Sequence, residues 1–151
     1  MNHILFILVL TVFSQSVLAK QLKIVYGEDD RKEVQNCSSE IRNLATGVAT
    51  NTEHSVFSDS GNFLEYKHQN LMKYRICFDE PFSKQTLLGD CTGFLIAKDV
   101  LLTAGHCVPT LESCQTRSWV FDHNLSQSEK NKVAKNNVYK CKRVLNKVQT
   151  E

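Results

Sequence analysis

The stretch "LLTAGHCV", Leu101 to Val108, sets a histidine between a glycine and a cysteine at the end of an apolar run. An imidazole titrates near neutrality, with an ordinary pKa of roughly 6.5, so His106 is suited to take a proton from a hydroxyl and return it to a leaving group. The same ring could ligate a metal, or could stand beside a disulfide with no chemical task. Ala104 and Gly105 are small enough to leave a ring room to face a cleft. A base that must both accept and return a proton has to be held rigidly. The neighbouring elements therefore decide among the three roles.

Six cysteines, Cys37, Cys77, Cys91, Cys107, Cys114 and Cys141, come next. No two of them form the C-x-x-C pair that a zinc site commonly brings, so His106, Cys107 and Cys114 make a poor ligand set. No metal or cofactor is expected. An even number of cysteines in an exported chain points instead to disulfides. His3, His54, His68 and His123 lack any setting comparable to that of His106 and read as solvated surface groups. Asn36-Cys37-Ser38 and Asn124-Leu125-Ser126 match the glycosylation sequon, a signal that acts only in a eukaryotic host.

Export is read from the first residues. "ILFILVLTVF", Ile4 to Phe13, is an apolar run too short to span a bilayer. "SVLAK" follows it with the small or apolar residues that a signal peptidase reads, which makes residues 1–19 a signal peptide cleaved after Ala19. The mature chain is then secreted, into the periplasm or outside the cell, with no membrane attachment. The whole sequence, 151 residues with 42% apolar and 23% charged content, suits about one ordinary globular domain. Its net charge of +2 selects no partner class. Lys130 to Glu151 concentrates six lysines and Arg143 against Glu151, but no aromatic stacking set accompanies them, so a solvated strand face is expected and not a nucleic-acid patch. Oligomeric state is not legible.

The elements that must hold His106 are strands. Tyr74 to Phe78, Thr92 to Ala97, Val100 to Thr103, Trp119 to Phe121 and Val138 to Val148 are short runs rich in β-branched and aromatic residues, separated by polar stretches. The fold class is all-β. Asn36 to Gln69 is polar with weak periodicity and reads as an insertion wrapping the domain.

"DCTGFLIAKDVLLTAGHC" runs strand, tight turn, strand, and then the short polar turn that carries His106. This pattern resembles the trypsin-like serine endopeptidases, in which a cystine flanks the catalytic histidine and a Thr-Ala-x-His-Cys turn presents the ring to the cleft. Gly105 in place of the commoner alanine, and the N-terminal "IVYGEDDRKEV", Ile24 to Val34, resemble the glutamyl-endopeptidase-like bacterial branch. The resemblance implies the first barrel of a trypsin-like double β-barrel, action on protein or peptide substrates, and His106 as general base. It also implies a Cys91–Cys107 bridge. Cys114 with Cys141 is a second pairing, which leaves Cys37 and Cys77 to each other or unpaired. Residues 20–70 are then an N-terminal extension and loop, and residues 71–151 the first barrel, incomplete.

The rest of a triad is not evident. In the prototype of that family the aspartate follows the histidine by ~45 residues and the serine by ~138, which from His106 reaches positions near ~151 and ~244. Asp122 falls too early, and Glu151 has no chain after it to hold it. "SDSGN", Ser58 to Asn62, looks like a nucleophile turn but precedes the histidine, and "KIVYG", Lys23 to Gly27, looks like a zymogen activation site at the wrong spacing. No glycine occurs in the 46 residues after Gly105, so none of Ser113, Ser118, Ser126 and Ser128 sits in a loop able to form an oxyanion hole. The chain reads as the N-terminal part of a protease precursor, inactive by itself. A secreted, disulfide-stapled binding module that kept the half-barrel without catalysis is the alternative.

Overall fold

"VATNTE", Val48–Glu53, alternates half-exposed and buried residues, burying Ala49, Asn51 and Thr52, and forms the middle strand, β1, of an antiparallel sheet. The structure, a computed structural model, describes residues 29–67, 69–124 and 130–148. The signal peptide and "KIVYG" lie outside the described residues, as does His68. Two compact units divide the chain, Met1–Arg31 and Lys32–Glu151. In the first, Arg31 pairs with Asp29 at 2.7 Å. Everything that follows concerns the second.

Around β1 lie β4 (Cys91–Ala97), β5 (Val100–Thr103), β6 (Arg117–Phe121) and β8 (Val138–Lys140), in the order β5-β4-β1-β6-β8. A smaller antiparallel sheet has the order β2-β3-β7, from Phe57–Ser60, Phe63–Tyr66 and Lys132–Ala134. Two short helices interrupt the strands. Ser38 caps α1 (Ser39–Ala45) by accepting from the Ile41 amide, and Thr110 caps α2 (Leu111–Thr116) in a reciprocal exchange with Ser113. The all-β expectation holds.

Both sheets contribute to one small core. Tyr66 of β3 and Val133 of β7 pack with Val120 of β6 and with Leu88, while Phe57, Leu64 and Val138 close over them. The phenol of Tyr66 meets Nε2 of His123 at 2.8 Å, a polar link between β3 and the end of β6. Burial pushes the Tyr66 phenol up to about 12 and holds His123 below its ordinary 6.5, so both partners favour their uncharged forms. His54 bonds the buried Ser118 hydroxyl through Nδ1 at 2.8 Å, and burial, then the charge of Lys140, lowers its pKa too. His54 and His123 are thus structural histidines and not the solvated groups expected from the sequence.

Because the unfolded chain binds these protons more readily than the folded one, the two rings cost nothing above pH 6.5, their ordinary value, and destabilise the fold as pH falls below it. Thermal melts between pH 7 and pH 5 should show a falling midpoint. His123→Gln, which keeps an acceptor for Tyr66 but cannot charge, should flatten that fall. An equal slope in the variant would remove His123 from the account.

Three expectations about elements need correction. The polar segment from Asn36 to Gln69 is no insertion: it supplies α1, β1, β2 and β3, and β1 pairs with both β4 and β6. Its strands are polar because β1 lies between two partners and buries Asn51 with its amide donating to the Ser118 carbonyl at 3.2 Å. Tyr74 to Phe78 is not a strand. Leu71–Tyr74 forms a 3-10 turn, and Arg75, at φ 64°, is left-handed and ends any extended path. The long final strand stops at Lys140, where Cys141 bridges to Cys114 in α2.

Candidate active site

The hairpin β4–β5 presents the histidine. Asp99, at φ 59°, turns the chain after Lys98, a conformation that aspartate tolerates better than most residues. Register then places Gly93 opposite Thr103 and Phe94 opposite Leu102, with an irregularity between Leu95 and Ala97. Gly93 is buried, and a Cβ there would lie 2.7 Å from the Trp119 ring and closer still to Leu101. Gly93→Ala should therefore destabilise by roughly 1–3 kcal/mol through overpacking, read as a lowered denaturation midpoint at unchanged slope. A midpoint equal to that of the parent would show that Leu101 and Trp119 give way freely.

After β5 the chain makes a 3-10 turn, Gly105–Cys107, in which Ala104, Gly105 and His106 are exposed and Cys107 is buried. Cys107 is bonded to Cys91 at the start of β4, with Cα atoms 5.9 Å apart. The cystine thus fastens the histidine turn to the first residue of the hairpin. A ring nitrogen of His106 and the two sulfurs lie within 4.8 Å of one another. Both sulfurs are spent on each other, so this trio is not a thiolate metal site.

His106 opens on a cleft of about 520 Å³ whose wall includes Thr92, Phe94, Leu102 and Thr103. Phe94, Ile96 and Leu102 are 52%, 61% and 57% exposed. Leu102 pairs with Phe94, so these two share one sheet face beside the histidine, and Ile96 is exposed at the irregularity that follows Leu95. An apolar surface of this kind is what a partner element covers. Leu102→Ser should reduce binding of a hydrophobic dye and aggregation at little cost in stability. Unchanged dye binding would mean that this face is already covered in solution.

The C-terminal segment passes the same turn. A Cβ on Gly105 would lie 3.8 Å from the Lys147 side chain and 3.8 Å from the Val148 carbonyl, and the Lys147 ammonium donates to the Pro109 carbonyl at 2.9 Å. Alanine would fit at Gly105 in ordinary contact. Among the described residues none hydrogen-bonds the His106 imidazole. Asp90 lines the cleft but is engaged by Arg117, which also reaches Glu53 at 2.9 Å.

The trypsin family model matches residues 78–149. Searches among curated proteins and among solved structures return no match. The family match covers β4 to β8 and the histidine turn, and supports a trypsin-like, chymotrypsin-fold protease whose members act on protein or peptide substrates. The strand-rich architecture is that of a partial trypsin-like β-barrel.

Against this frame the remaining sequence candidates sort plainly. Cys91–Cys107 and Cys114–Cys141 are bridged, while Cys37 and Cys77 are free thiols. "SDSGN" is the β2–β3 hairpin turn, with Gly61 left-handed at φ 65° and the Ser60 hydroxyl donating to Glu65 at 2.9 Å, in the other sheet from the trypsin-like histidine turn. Ser113 is spent on the α2 cap and Ser118 is buried against His54. Ser126 and Ser128 lie outside the described residues, as does Glu151. Asp122, left-handed at φ 53°, follows β6 and lines the same cavity as His123, away from the His106 cleft. Lysines of the basic C-terminal stretch are matched individually, Lys132 with Glu65 at 2.7 Å and Lys135 with Asp59. Among the described residues no helix is long and apolar enough to cross a membrane.

Proposed function

We propose that this chain is the histidine-bearing part of a secreted serine endopeptidase of the glutamyl-endopeptidase-like branch, with His106 as the general base. The observation that carries the reading is the exposed imidazole on a turn bolted to β4 by the Cys91–Cys107 cystine, facing an open cleft. Rigidity on one side and accessibility on the other are what a proton shuttle requires.

The path of the C-terminal segment adds to this. Lys147 and Val148 lie beside Gly105 of the histidine turn, and in this reading a carboxylate supplied by downstream chain accepts a hydrogen bond from one imidazole nitrogen and leaves the other free to act on a hydroxyl. In this reading the aspartate and serine are encoded beyond Glu151, and the exposed apolar pair Phe94 and Leu102 is the seat of a second barrel. Reading the nucleotide sequence past codon 151 in all three frames tests it. The expected result is an aspartate on an apolar strand and, later, a Gly-x-Ser-Gly turn; a stop codon in every frame with neither motif favours the non-catalytic binding module.

A further inference from the structure

We propose that, in a eukaryotic secretory pathway, this fold accepts N-linked glycosylation at Asn36 and refuses it at Asn124, the other residue in a matching sequon. The inference rests on export of the chain, and it concerns which of two identical signals the fold accepts.

Asn36 closes a 3-10 turn, Val34–Asn36, ahead of α1. It is exposed, and its side chain bonds no described residue, so a glycan on Nδ2 would extend into solvent without displacing a contact. Ser38, whose hydroxyl completes the signal, is exposed as the α1 N-cap. Cys37 between them is a free thiol with Sγ on the Glu33 carbonyl at 3.5 Å, so no bridge competes with an extended Asn-Cys-Ser segment in the transferase. Asn124 differs in burial and in bonding. It is half-buried, it walls a cavity together with Arg42, Thr50 and His123, and its Nδ2 donates to Asp122 at 3.1 Å. A sugar on that nitrogen would remove a donor and fill the cavity beside the core.

The reaction substitutes at the anomeric carbon of a lipid-diphosphate-linked oligosaccharide. The amide Nδ2 of Asn36 forms the new N–C bond, the C–O bond to the diphosphate breaks, the lipid diphosphate leaves with the electron pair, and the amide proton passes to a base of the transferase.

The full chain is translated in a eukaryotic secretory host with its own leader, and in parallel with a proven leader ahead of Lys20. Protein recovered from the secretory pathway is treated with an amidase that converts a glycosylated asparagine to aspartate, and peptides are mapped by mass. Conversion at Asn36 alone, abolished by Ser38→Ala and retained in Cys37→Ser, is the expected result. Occupancy of Asn124, or an unmodified Asn36 with the proven leader, overturns the proposal. Glycan with the proven leader but none with the native one leaves the site assigned and sinks the reading of export.

Discussion

The 151-residue chain should show no peptide hydrolysis above background on a mixed peptide library, whereas a version extended through a downstream aspartate and serine should cleave. In the extended enzyme His106→Ala should lower turnover by a factor of roughly 10⁴–10⁶. The size follows from the role. Without a base the attacking hydroxyl keeps its proton, and without the returned proton the leaving amine is a poor leaving group. Substrate affinity should change little, because the ring handles the proton and does not hold the substrate, so the loss falls on kcat and not on KM.

Two outcomes would sink this account. Comparable cleavage by the short chain would place a complete mechanism inside these residues, where no described serine or carboxylate meets the His106 ring. An unimpaired His106→Ala variant would return the histidine to the role of an exposed neighbour of a cystine. The Leu102→Ser variant supplies a useful contrast in the extended enzyme. If the apolar face seats a second barrel, that substitution should weaken activity through assembly while leaving the pH profile of turnover unchanged, whereas a change at His106 acts on the proton transfer itself.

How much of this was legible beforehand depends on where the information sits along the chain. The β4–β5 hairpin is local: its strands, its turn and its bridge fall within Cys91 to Cys107, so a run of β-branched residues and the cysteine spacing disclose it. The contribution of Asn36 to Gln69 is not local. β1 pairs with β4 about forty residues on, through Asn51 and Cys91, and with β6 further still, through Asn51 and Trp119. Its polar side chains are satisfied across those pairings, with Asn51 bonded to Ser118 and to Arg117. A polar strand buried between partners carries no apolar alternation for a reader to find.

The site divides in the same way. His106, its cystine and its turn were readable because the chemistry is packed into eight consecutive residues and one spacing. The structural histidines were not, since nothing around His54 or His123 in the sequence announces the Ser118 hydroxyl or the Tyr66 phenol 64 and 57 residues away. Nor was the approach of Val148 to Gly105, which depends on where Cys141 anchors the end of β8.

Replacing Cys91 and Cys107 together by serine should lower stability and, in an active enzyme, also loosen the histidine turn. Closing a loop of 16 residues is worth about 3 kcal/mol in the chain-entropy account, and the 27-residue loop of Cys114–Cys141 slightly more. Each bridge carries a burial penalty, and a further one falls on the first alone. Cys107 and Cys114 are both buried, so a serine hydroxyl at either is costly unless it finds a partner. The Cys91–Cys107 bridge also ties the histidine turn to β4, in addition to the local bond from the Cys107 amide to the Ala104 carbonyl at 3.0 Å. In an extended, active enzyme the double variant should therefore lose activity at temperatures where it is still folded, because the imidazole no longer holds its direction. Cys114→Ser with Cys141→Ser is the control: it should lower stability with a smaller loss of activity below its own melting point. Equal losses of activity in the two double variants, measured well below both melting temperatures, would show that the Cys91–Cys107 bridge stabilises the barrel without positioning His106.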